Sequence, residues 1–228
     1  MWSDLIIDLD LPPAGEILLA GDGAGDIDLP IGSGKRLSVG NLVLVTRQED
    51  LGDSATVTAT GLNDDSLDLV LLRDAMGSLN NLARVLREAY RILKPGGGVM
   101  ITELDVETLL ESQPQKYPQV LLSRMYPYVG EYLLRRHPRP MDIAIGLVKT
   151  GFKDGDEYRL DVPLGHFRDY ETYVDSVAVE GWRGMDQITP EQRTAVLERL
   201  PELMESVAPA GEFDDLEPIT VARAYKPF

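Results

Sequence analysis

Apolar positions along the chain keep two different spacings, and the places where one gives way to the other outline the architecture. Residues 16–20 form a short apolar run, Ile17-Leu18-Leu19-Ala20 after Glu16, that enters the glycine-rich turn Gly21-Asp22-Gly23-Ala24-Gly25. Such a run predicts a buried strand ending in a tight turn. A second run of this kind occupies residues 42–45, and the threonine and valine content of residues 55–59 predicts a third strand. A fourth follows at residues 67–72, after the turn signal Asn63-Asp64-Asp65-Ser66. Near-continuous apolar runs belong to strands covered on both faces. Between residues 79 and 93 the period changes, and Leu79, Leu82, Leu86, Ala89, Ile92 and Leu93 fall on one helical stripe. Lys94-Pro95-Gly96-Gly97-Gly98 ends that helix and reverses the chain into a strand at residues 99–103. Strands interleaved with helical pattern predict parallel β-α-β units, hence an open twisted sheet with a ligand crevice at the carboxyl ends of its strands.

The remainder is less regular. Residues 106–139 carry helical pattern broken by prolines at 114, 118, 127 and 138, with Tyr117, Tyr126, Tyr128 and Tyr132 among them, and predict a cap over the crevice. A short helix at residues 142–150 ends at Gly151, and a strand begins at residues 157–162, continuing through Gly165-His166-Phe167 into a second, partly helical insertion. Thr189-Pro190-Glu191 starts a helix of about four turns reaching close to Val207, and residues 219–225 have the composition of a last strand. At the other end, residues 5–11 alternate apolar and acidic positions before Pro12-Pro13, the pattern of a short edge or docking strand. That strand is suited to adding to a partner's sheet, in an oligomer or a complex.

Composition narrows the reading. The 228 residues with 43% hydrophobic content suit one sizeable core, so a single domain is expected. With no cysteine, disulfides, thiolate catalysis, iron–sulfur clusters and cysteine-zinc sites are excluded. No apolar run approaches the roughly 18 residues of a membrane span, and the opening Met1-Trp2-Ser3-Asp4 lacks a secretory signal's positive head, so a soluble, cytoplasmic protein without a membrane partner is expected. A formal charge of −16 repels a phosphate backbone, and Arg135-Arg136 with Arg139 is too small a basic group for a duplex track, so no nucleic-acid partner is expected.

The central block, Asp64-Asp65-Ser66-Leu67-Asp68-Leu69-Val70-Leu71 through Leu86-Arg87-Glu88-Ala89-Tyr90-Arg91-Ile92-Leu93-Lys94-Pro95-Gly96-Gly97, resembles a type 11 methyltransferase domain of the class I, S-adenosylmethionine-dependent superfamily. In that family an acidic turn leads into the fourth strand, and an arginine-leucine-lysine-proline-glycine-glycine phrase leads into the fifth. Residues 141–152, ending in Gly151-Phe152, and the final helix and strand also follow family order. The resemblance implies an α/β, Rossmann-like methyltransferase fold: a mostly parallel twisted sheet flanked by helices, with a helical cap insertion. It divides a single domain at 1–228 into a cofactor-half core at 15–104, a cap at 105–140 and a C-terminal substrate half at 141–228. It implies S-adenosylmethionine as cofactor, held by Gly21, Asp22, Gly23, Ala24, Gly25 and Thr46.

Three positions depart from the family pattern. Leu19 stands where an acidic residue precedes the loop glycines. The second predicted strand ends in Thr46-Arg47, with Glu49 and Asp50 beyond it, where a ribose-binding carboxylate is usual. The stretch Ile31-Gly32-Ser33-Gly34-Lys35-Arg36 is too glycine-rich for a crossover helix, and only about ten residues separate the second and third predicted strands, where parallel strands need a dozen or more. Asp26 occupies the third-glycine position of a dinucleotide fingerprint, and Gly34-Lys35 lacks the rest of a phosphate loop.

Methyl transfer asks chiefly for alignment of a nucleophile, so few side chains announce it. His166, after the sixth predicted strand, is the candidate general base, against an ordinary hydrogen-bonded histidine. His137, between Arg136 and Pro138, reads as a surface residue. Tyr126, Tyr128 and Tyr132 are candidates for an apolar acceptor pocket, against simple helix packing. Asp22, Asp26 and Asp28 match no calcium loop, and no metal site is expected. Two functions stay open: a methyltransferase acting on a small-molecule acceptor, and a catalytically inactive methyltransferase-fold subunit that binds a protein partner.

Overall fold

The computed structural model describes residues 17–21, 30–31, 35–36, 43–45, 58–75, 79–209 and 211–228. Within these, the strands are β1 (Ile17–Gly21), β2 (Pro30–Ile31), β3 (Lys35–Arg36), β4 (Val43–Val45), β5 (Leu67–Arg73), β6 (Leu93–Leu104), β7 (Lys153–Phe167) and β8 (Phe213–Tyr225). The helices are α1 (Leu79–Ile92), α2 (Val106–Glu111), α3 (Val120–Met125), α4 (Pro127–Arg136), α5 (Pro140–Thr150), α6 (Tyr170–Glu180) and α7 (Pro190–Val207). A six-stranded sheet has the order β4-β1-β5-β6-β8-β7, and β1 pairs in parallel with β4 and β5, as β5 does with β6. The expected open, mostly parallel α/β sheet is therefore present.

The chain divides into two compact units: residues 1–103, 137–158 and 220–228 make the first, and residues 104–136 and 159–219 the second. The first is built around the sheet. Leu69, Val70, Leu71 and Leu72 of β5 are at most 1% exposed, which is what a strand covered on both faces requires. The α1 stripe is buried at Leu82, Leu86, Ala89 and Ile92, with Val85 beside it, and packs with Ile143, Leu147 and Phe152. Helix α5 opens on Pro140 and closes at Gly151, whose φ of 109° lets its N–H reach the carbonyls of Leu147 and Val148.

The end of α1 is finished by distant groups. Asp65 and Ser66 donate backbone N–H bonds to the carbonyls of Arg91 and Ile92, and Lys226 Nζ donates to the carbonyls of Tyr90 and Leu93. The glycine phrase does not reverse the chain ahead of its strand, as the sequence suggests, but lies inside β6. Register jumps from Leu67↔Leu93 to Leu69↔Gly98, so the intervening residues bulge, with Gly96 at φ 80°. The C-terminus stitches the bulge: Gly96 N–H donates to Lys226 O at 2.8 Å and Lys226 N–H to Gly97 O at 2.9 Å.

The connection from β1 to β4 contains a small antiparallel ladder, Pro30 opposite Arg36 and Ile31 opposite Lys35. A glycine-rich stretch pairs locally more readily than it winds into a helix. Of the third predicted strand, residues 55–57 lie outside the described residues and Ala59 makes an isolated bridge only. The strand predicted at residues 5–11 also lies outside them.

The second unit packs α2, α3, α4, α6 and α7 with the distal parts of β7 and β8. Its core joins Tyr117, Val120, Leu122, Val129, Tyr173, Trp182, Val196, Leu200 and Met204. Helix α7 starts as read, on Thr189 and Pro190, and adds a capping box in which Thr189 Oγ1 accepts from Gln192 N and Gln192 Oε1 accepts from Thr189 N.

Candidate functional site

In an open parallel sheet the ligand crevice lies beyond the carboxyl ends of the strands, where connections part to either side. Here that point is at β1 and β5, since β1 has β4 on one side and β5 on the other. Gly21 closes β1 in register with Arg73 of β5. A residue without Cβ at that strand end lets the backbone approach a bound group closely.

Immediately after β5, Asp74 adopts φ 47°, a conformation few residues other than glycine accept, and its N–H donates to Thr102 O of β6 at 2.9 Å. The exits of β5 and β6 are thereby tied together. On β6, Val99, Met100 and Ile101 are fully buried, and the apolar run ends in Thr102 and Glu103, 2% and 1% exposed. A carboxylate so enclosed is costly without a cation or hydrogen-bond donors. His137 supplies one: its Nδ1 lies 3.1 Å from Glu103 Oε2, and the ring is 6% exposed.

That burial corrects the surface reading of His137. The link between α4 and α5 is short, His137 and Pro138 are both buried in it, and the imidazole reaches the carboxylate at the end of β6. Asp74, Glu103 and His137 together hold ligand-type atoms that all lie within 4.8 Å of one another. The sequence offers one half of this signal, a charged residue ending an apolar strand. Its partner, 34 positions away, is found only by folding.

The other candidates are placed as follows. Gly21 ends β1, whereas Asp22, Gly23, Ala24, Gly25 and Thr46 lie outside the described residues. His166 stands on β7 in the second unit, half-exposed, with Nδ1 2.8 Å from Asp214 and Nε2 3.1 Å from Glu212. Asp214 and, to a smaller extent, Glu212 raise its pKa, so this imidazole keeps its proton to higher pH than a free one. Tyr126, Tyr128 and Tyr132 also belong to the second unit. The rings of Tyr126 and Tyr128 are 6.1 Å apart, Tyr128 Oη donates to Gln192 Oε1, and Tyr132 Oη accepts from Arg136. No helix among the described residues is long and apolar enough to cross a membrane.

Comparison with known proteins agrees with this geometry. Residues 43–101 match the Methyltransferase domain family, a stretch that contains β4, β5, α1 and the bulged start of β6. A relative from Hydrogenovibrio crunogenus, the ubiquinone/menaquinone biosynthesis C-methyltransferase UbiE, is 31% identical over 42% of this chain and 41% of its own length. The match thus spans about two fifths of that enzyme. Among solved structures, a protein of Anabaena variabilis described as a methyltransferase from an antibiotic biosynthesis pathway superposes with a TM-score of 0.62 at 17% identity, over 96% of this chain and 94% of that one. A protein of Bacillus halodurans described as a methyltransferase gives 0.56 at 16% identity, over 100% and 99%. The chain thus has the fold of these solved methyltransferases, and residues 43–101 carry the central block of the Methyltransferase domain family.

Proposed function

We propose that the protein is an S-adenosylmethionine-dependent methyltransferase that acts on a small-molecule acceptor. The observation that carries the reading is the crevice end of the sheet, where Gly21 closes β1 beside the exit of β5 while Asp74 and Glu103, at the ends of β5 and β6, gather with the buried His137. Polar side chains enclosed at the carboxyl ends of an otherwise aliphatic sheet are what a ligand crevice presents, and they support a binding role. Gly21, Asp22, Gly23, Ala24 and Gly25, with Thr46, would hold the cofactor, and the glycine at the end of β1 fits a close backbone approach. When bound, S-adenosylmethionine supplies an electrophilic methyl group. The chain's own task is then to orient the acceptor, and Glu103 contributes by fixing the His137 ring at the strand end.

The second reading, a catalytically inactive subunit that binds a protein partner, is favoured by one observation. The stretch between β1 and β4 holds a two-stranded ladder in a position where the family resemblance implies a crossover helix. Titration calorimetry of the purified chain with S-adenosylhomocysteine separates the two. The methyltransferase reading expects micromolar binding at one site, at least tenfold weaker in Gly23→Val. No heat at high protein concentration would set it aside in favour of the subunit.

A further inference from the structure

We infer that Asp74, Glu103 and His137 form a binding site for one divalent first-row metal ion. Their donor set is two carboxylate oxygens and one imidazole nitrogen, all within 4.8 Å of one another. This mixture suits manganese, iron, cobalt or zinc better than calcium, which takes oxygen ligands alone, and the absence of cysteine excludes a thiolate site for softer ions.

The three donors, within 4.8 Å of one another, would draw together around an ion. At metal–ligand distances of about 2.1 Å, neighbouring ligands of an octahedron stand roughly 3.0 Å apart. His137 Nδ1 and Glu103 Oε2 are 3.1 Å apart, in a hydrogen bond whose place an ion would take. Asp74 completes the donor set, and its backbone is pinned by the hydrogen bond from its N–H to Thr102 O.

Burial gives the second argument. Glu103 is 1% exposed and His137 6%, so this group differs from the solvated acidic clusters common on a chain of net charge −16. Three protein ligands leave further positions for water or another oxygen ligand, as in catalytic rather than structural sites. The inference uses the same crevice end as the proposed function, but its test reads metal uptake with no cofactor added, so the two can fail separately.

The test is titration of the full-length, chelator-treated chain with Mn²⁺, followed by electron paramagnetic resonance of the free ion, and with Co²⁺, followed by visible absorption. One ion per chain is expected, with affinity at least tenfold weaker in His137→Asn and in Glu103→Gln and unchanged in His166→Ala. Should either buried variant fail to fold by circular dichroism, Asp74→Asn at a half-buried position carries the same expectation. Absence of uptake by the wild-type chain overturns the inference. So does uptake that survives Asp74→Asn and His137→Asn, or that is lost in His166→Ala.

Discussion

The two units hold themselves together in different ways. In the first, the core is aliphatic and comes from strand and helix segments that each announce themselves by period: β5, α1, the buried part of β6, and Ile143 and Leu147 of α5. In the second, Tyr117, Tyr173 and Trp182 are set among aliphatic residues, and their polar ends are wired to distant segments. Tyr117 Oη donates to Asp161 Oδ1 at 2.5 Å, Trp182 Nε1 donates to Tyr173 Oη, Tyr173 Oη donates to Asp215 Oδ2, and Arg183 grips Glu217 through two nitrogens. In the first unit apolar spacing specifies the elements, and contacts such as those of Lys226 finish their ends. In the second unit the directional contacts reach into the core itself and select its pairing, since misplaced polar partners are expensive when buried.

Truncation in the aliphatic core should have the largest effect. Leu86 is fully buried, and a Cβ built on Gly146 would stand 2.8 Å from its Cδ1, so α1 and α5 are in intimate contact there. Leu86→Ala is expected to cost about 2–5 kcal/mol by urea denaturation, the range for deleting a packed leucine. A cost under 1 kcal/mol would show that this core is looser than its burial implies.

A smaller loss is expected in the second unit. Burial, reinforced by the Asp215 carboxylate, raises the Tyr173 pKa, so the phenol stays protonated and keeps its role as a link. Tyr173→Phe keeps the ring but leaves Trp182 Nε1 and Asp215 without that hydroxyl, and about 1–3 kcal/mol is expected. If the substitution were neutral, the wiring would not distinguish this unit from the first.

The smallest effect shows only in acid. Glu88 on α1 accepts from Arg91 Nε and Nη2 and from Thr60, and the Arg91 hydrogen bonds foremost lower its pKa from 4.5 to about 2. A depressed carboxylate contributes stability that is complete above its unfolded value, near 4.5, and is lost as the pH falls towards 2. Thermal midpoints of wild-type and Glu88→Gln should therefore converge between those two pH values and differ above them. Parallel curves would remove Glu88 from the account.

The contrast between the units also explains what could be read from the sequence. The α1 stripe, the Gly151 stop, the Thr189-Pro190 start and the strand at residues 67–72 were legible because each is a local pattern whose physics acts within a few residues. The starts of β7 and β8 were not, since β7 opens at Lys153 rather than at 157 and β8 at Phe213 rather than at 219. Neighbouring strands, more than local composition, decide where a strand stops. His137 was misplaced for a related reason. A histidine beside Arg136 and Pro138 has surface chemistry locally, and only the return of the chain to Glu103 encloses it. The bulge in β6 hid behind a glycine phrase that reads equally well as a turn.

The central claim is that the carboxyl ends of β1 and β5 form the cofactor crevice. Hydrogen exchange with and without S-adenosylhomocysteine tests it most directly. The account predicts added protection in peptides covering residues 17–25 and 71–75, with the second unit's residues 190–207 unchanged. Binding that protected 190–207 and left 17–25 and 71–75 unaltered would contradict it.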